Sequence, residues 1–110
     1  MEDSRFMKSM LLDFYGELLT DKQRECYDLH FNEDYSLSEI AEQLSISRQG
    51  VWDNIRRAEA ALTETEEKTG LVARFEAVRR QMESIKAEAA ELGPIGEGIV
   101  RRLEALEQEL

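Results

Sequence analysis

Apolar residues recur at helical spacing along most of the chain. Phe6, Met10, Phe14 and Leu18 stand four apart, and Met7, Leu11 and Tyr15 widen the stripe. That pattern predicts an amphipathic helix over Asp3–Leu19, capped by Asp3 or Ser4, with Gly16 near its end where another helix can approach closely. Thr20-Asp21-Lys22-Gln23 spells a capping box, in which the threonine hydroxyl and the glutamine side chain each satisfy one backbone N–H. A second helix therefore runs from there to about His30 and buries Cys26, Leu29 and Tyr27. Phe31–Tyr35 is a polar-aromatic break. Ser36-Leu37-Ser38-Glu39 is a second capping box and opens a short helix to about Leu44. Ser45-Ile46-Ser47 reads as a tight turn. Ser47 then caps a helix to Thr69 whose buried stripe is Val51, Ile55, Ala58 and Leu62.

Gly70 ends that helix, and the pattern changes. Leu71, Phe75, Val78, Met82, Ile85, Ala89 and Leu92 alternate steps of four and three, a heptad seam. Gly93-Pro94 interrupts it. Ile99, Leu103, Leu106 and Leu110 resume the same steps. Two heptad helices joined by a short Gly-Pro turn form an antiparallel hairpin. The expected fold is all-α: a helix-turn-helix bundle of about four helices over residues 1–69, then a C-terminal helical hairpin over residues 70–110. The hairpin, or the N-terminal helix, offers a surface for homodimerisation.

Composition narrows the function. Of 110 residues, 42% are apolar, enough for one modest core. No apolar run approaches the length of a membrane span, and the opening MEDSRF lacks the basic-then-apolar layout of a secretory signal. A single cysteine makes no internal disulfide, so a reducing cytoplasm is the expected compartment. Fourteen basic against 24 acidic side chains leave a formal charge of −10, so the field of the whole molecule repels phosphate. Nucleic-acid binding then needs a local basic patch.

The stretch from Tyr35 to Ala58 supplies a candidate. Ile40 and Leu44 lie one turn apart, Ala41 is small where two helices cross, Ile46 plugs the turn, and Val51 and Ile55 pack back. This is a helix-turn-helix signature, with the outer face of its second helix left to enter a groove. Ser45 occupies the turn position where the backbone needs positive φ, usually a glycine, at a cost on the order of 1 kcal/mol. The candidate partner-binding residues are Arg48, Gln49, Trp52, Asp53 and Arg56. Arginine reaches phosphate or a guanine edge, and glutamine an adenine. Trp52 suits stacking on an unpaired RNA base or anchoring a protein interface, unless it packs beneath the N-terminal helix. Asp53 repels phosphate. Arg57 flanks the apolar stripe, where a nearby acid is its expected partner.

Residues 19–59 resemble the promoter-reading C-terminal region of bacterial sigma factors. More closely, the chain resembles the YlxM-like family of small bacterial helix-turn-helix proteins, through residues 10–20 (MLLDFYGELLT) and residues 47–55 (SRQGVWDNI). That resemblance covers residues 1 to about 75. It implies an all-helical cytoplasmic protein that takes part in the signal recognition particle pathway as a regulator or accessory factor. The partners it implies are the particle's RNA, its GTPase or its receptor. A duplex-DNA regulator is the alternative, and a protein-interaction module whose reading helix has lapsed is a third reading.

Enzymatic chemistry finds little support. His30 stands at a predicted helix end, where it caps carbonyls and favours the dipole. Cys26 sits at core spacing. The six glycines are scattered and form no phosphate loop. Glu64, Glu66 and Glu67 read as a solvated helix face. No catalytic residue, metal ligand or cofactor site is expected.

Overall fold

The computed structural model describes residues 2–110, with side chains from Arg5 onward. The cap expected at Asp3 or Ser4 lies outside the described side chains. The chain is 84% helical and has no strand among the described residues, which makes the fold all-α. Its elements are α1 (Glu2–Tyr15), a 3₁₀ turn (Gly16–Leu18), α2 (Asp21–Phe31), α3 (Leu37–Leu44), α4 (Arg48–Thr69), α5 (Leu71–Ala90) and α6 (Pro94–Glu107). They group into two compact units, Met1–Gly70 and Leu71–Leu110.

In the first unit, α4 packs against α1, α2 and α3. Cys26, Ile40, Ala41, Val51 and Ile55 form one buried cluster, lined by Leu29, Phe31, Tyr35, Leu37, Leu44 and Ile46. Helix starts follow their capping chemistry. Thr20 and Ser36 each complete both bonds of a capping box, the first with Gln23 and the second with Glu39. Tyr27 is buried with its hydroxyl donating to the Lys8 carbonyl at 2.8 Å. Burial, reinforced by the Glu59 charge, pushes its phenol above the ordinary range.

The first helix departs from expectation. It ends at Tyr15 rather than Leu19 and tightens into the 3₁₀ turn at buried Gly16. Arg24 Nε donates to the Gly16 carbonyl at 3.1 Å, and a Cβ at this position would lie 3.3 Å from Leu12 Cδ1. The buried face also differs. Phe6, Phe14 and Leu18 are exposed, whereas Tyr15 and Leu19 are buried. Steps of four advance about 40° each around a helix of 3.6 residues per turn, so this stripe walks off a narrow contact face.

In the second unit, Gly93 at φ 68° turns the chain and Pro94 opens α6. The two helices cross backbone to backbone: a Cβ on Gly96 would lie 1.6 Å from the Ala89 carbonyl oxygen. Met82, Ala89 and Gly96 are buried. The heptad seam is only half enclosed, because Val78, Ile85, Leu92, Ile99 and Leu106 stay exposed. A single helix pair covers about one ridge of each helix, and the other ridge faces out. Lys86 bridges Glu83 at 2.9 Å and also Glu107, and these bonds, Glu107 first, push its ammonium up to about 12.

Candidate nucleic-acid or protein interface on the helix-turn-helix

The turn between α3 and α4 is built from local rules. Ser45 adopts φ 57°, ψ 44°, the left-handed conformation expected of it. The next amide, Ile46 N, reaches back to the Ala41 carbonyl at 3.1 Å, closing a Schellman-type wrap, and the Ile46 side chain packs on the core. Ser47 Oγ then accepts from Gly50 N at 2.9 Å and caps α4. With the turn fixed and Val51, Ile55 and Ala58 buried, the rotation of α4 about its axis is set.

That rotation carries Arg48, Gln49, Trp52, Asp53 and Arg56 together onto one exposed face of two turns. Trp52 is 43% exposed and does not lie beneath α1. Trp52 helps line a shallow recess with Leu37, Arg48 and Gln49. It also lines a second recess with Arg56, Glu59, Ala60 and Thr63. The Arg56 guanidinium carbon stands 5.8 Å from the indole centroid, within cation–π range. Gln49 Nε2 donates to Asp53 Oδ1 at 3.1 Å, so the amide is engaged with its own helix and would have to release the carboxylate to read a base.

Leu37, Ala60 and Thr63 join this surface without any signal in the sequence. Their proximity to Trp52 depends on how α3 crosses α4 and on how far the indole reaches along the helix. Glu59, another neighbour of Trp52, is bridged to Lys8 at 2.8 Å, and this offsets one negative charge beside the face. Among the described residues Arg57 makes no ion pair, contrary to the expectation, and stands exposed.

The remaining reactive groups are occupied structurally. Cys26 is fully buried, and burial pushes its thiol above the ordinary value, away from nucleophilic thiolate. His30 Nδ1 lies 2.9 Å from the Tyr35 carbonyl and ties the end of α2 to the following turn. Of the three glutamates assigned to a solvated face, Glu64 pairs with Lys68 at 3.1 Å, while Glu66 accepts a hydrogen bond from Tyr15 instead. Among the described residues no group of three or more His, Cys, Asp or Glu could hold a metal ion. No described helix is long and apolar enough to cross a membrane.

Comparison with known sequences agrees with this architecture. The family described as "Putative helix-turn-helix protein, YlxM / p13 like" (UPF0122) matches residues 2–96. A UPF0122 protein of Acetivibrio thermocellus is 59% identical over 73 residues, covering 66% of this chain and 62% of the relative. One of Thermoanaerobacter pseudethanolicus is 50% identical over 86 residues, covering 78% of this chain and 74% of the relative. One of Halalkalibacterium halodurans is 43% identical over 107 residues, covering 97% of each. With a match that runs from α1 into α6, this chain belongs to the UPF0122 family of YlxM/p13-like helix-turn-helix proteins.

Proposed function

We propose that this protein is a non-catalytic accessory or regulatory factor of the signal recognition particle pathway, acting in the cytoplasm. It engages the particle's RNA, its GTPase or its receptor through the first turns of α4. The pathway comes from the YlxM resemblance; the choice of surface comes from geometry. The observation that carries the choice is Trp52, exposed between Arg48 and Arg56 on a helix whose opposite side is core. An exposed indole flanked by two guanidinium groups suits an unpaired base held by stacking with its phosphates met on either side.

A second reading is a regulator that binds duplex DNA. The intact helix-turn-helix favours it, since the start of α4 is free to enter a major groove much as sigma-like readers do. Asp53 and the net charge of −10 oppose the phosphates of either nucleic acid; what weighs against duplex reading is the exposed indole of Trp52, which suits an unpaired base better than a groove edge.

Binding to the particle's RNA, to its GTPase and to duplex DNA, each at two salt concentrations, separates the readings. The proposal expects RNA binding that weakens with Trp52→Ala. Arg48→Ala or Arg56→Ala should each lower the salt slope by about one. Tight duplex binding lost with both arginines favours the DNA reading. Binding to protein alone, little affected by salt, identifies an adaptor with a lapsed reading helix.

A further inference from the structure

The hairpin has two unlike flanks. On α5, Ile85 and Lys86 follow buried Met82 by three and four residues and so lie on opposite sides of the line that faces α6. On α6, Leu106 and Glu107 flank Leu103 in the same way. Lys86 meets Glu107, so those two mark one flank. Ile85 and Leu106 therefore share the other. Positions 78 and 85 on α5, 92 in the turn that follows it, and 99 and 106 on α6 fall at intervals of seven, and all five are apolar. Val78, Ile85, Ile99 and Leu106 are 37%, 45%, 39% and 55% exposed. One side of the hairpin is thus ion-paired, and the other is an apolar stripe spanning both helices.

We infer that this stripe is a homodimer interface, on which the same stripe of a second copy packs to close a four-helix bundle. Three observations choose this occupant. First, two helices of about 40 residues enclose too little surface to be self-sufficient, and pairing with a second copy is a standard remedy. Second, residues 71–110 carry six basic and eight acidic side chains, close to balance, against eight and sixteen in residues 1–70. Like charge therefore opposes self-association least at the hairpin. Third, the rim of the stripe carries both signs: Arg74 and Glu88 border it on α5, Arg102 on α6 and Glu109 just past its end, all exposed. A two-fold axis sets each such patch against its own copy, so both signs on one rim allow each arginine an acidic counterpart across the interface.

Sedimentation equilibrium of the full chain tests this independently of the reading of α4. The expected result is a species of twice the 12.7 kDa chain mass, converted to monomer by Ile85→Glu with Leu106→Glu. Helical circular dichroism should be retained, and Ala87→Glu, away from the stripe, should remain dimeric. If the glutamate pair loses helix, Ile85→Ala with Leu106→Ala replaces it and should weaken dimerisation about tenfold or more. A wild-type monomer at every concentration overturns the inference. So does a dimer of unchanged strength in the folded variants, which would place the contact elsewhere, such as on the exposed Phe6 and Phe14 of α1.

Discussion

The two units use the same residue types to different ends. Residues up to Gly70 wrap one long helix with three shorter ones and bury Ile40, Val51, Ile55, Ala58 and Leu62. The hairpin, with Leu, Ile and Val in good supply, encloses Met82 and Ala89 and leaves a ridge of each helix outside. The difference is one of layers. An amphipathic helix needs a partner on each edge of its apolar face, and a pair alone supplies only one. The first unit is therefore complete as a scaffold and can hold a rigid binding face. The second leaves an apolar stripe exposed.

The largest test of that contrast is Ile55→Ala. It opens a cavity where α3 and α4 meet and should cost about 2–5 kcal/mol, read as a lower thermal midpoint together with loss of partner binding. Next is Gly96→Ala. Its methyl group cannot fit against the Ala89 carbonyl, so the hairpin helices must separate, at about 1–3 kcal/mol. Amide exchange should quicken in α5 and α6 while α3 and α4 keep their protection. Equal quickening in both units would break the contrast. Smaller, and of opposite sign, is Ser45→Gly. The turn already holds φ 57°, so removing the side chain should raise stability by up to about 1 kcal/mol and leave binding intact.

The smallest effect is a divergence with pH. Hydrogen bonds from the Ser36 backbone and hydroxyl hold the Glu39 carboxylate below its ordinary 4.5. Its contribution is present above that value and fades as the pH falls through the lower folded one. Lys86 behaves oppositely. Raised from 10.5 to about 12, it supports the hairpin below 10.5 and ceases to as the pH rises through about 12. Acid should thus fray the start of α3, and alkali should loosen the α5–α6 pair. Glu39→Gln, which removes the titrating carboxyl, should abolish the first dependence and Lys86→Met the second, each followed by residue-resolved exchange.

Where local chemistry decides structure, the sequence is readable. Thr20, Ser36 and Ser47 announce the starts of α2, α3 and α4, and Ser45 announces a left-handed turn even without glycine. The outward face of α4 follows in part: burying Val51 and Ile55 turns Arg48, Gln49, Asp53 and Arg56 to the surface, whereas spacing alone leaves Trp52 free to pack beneath α1, and only the folded arrangement puts it outside. Where three-dimensional crossing decides, the sequence is silent. The drifting stripe of α1 does not say which 100° of arc meets α2 and α4: Tyr15, on the stripe, is core as read, but Phe6 and Leu18, also on it, are exposed, and Leu19 is buried instead. The seam of α5 does not say how many helices cover it. Neither the Lys8–Glu59 bridge nor the recesses beside Trp52, with Leu37 and Thr63, can be read from spacing, since they join residues from different helices or turns.

Trp52 is the only tryptophan in the chain, so its fluorescence reports on the central claim without a label. In the free protein its emission should be that of a water-exposed indole, readily quenched by iodide. Titration with the particle's RNA or its GTPase should shift or quench that emission and protect the ring from iodide, along the same isotherm as binding. A blue-shifted, iodide-resistant indole in the free protein, or saturable binding that leaves the ring as accessible as before, would contradict the assignment of the α4 face.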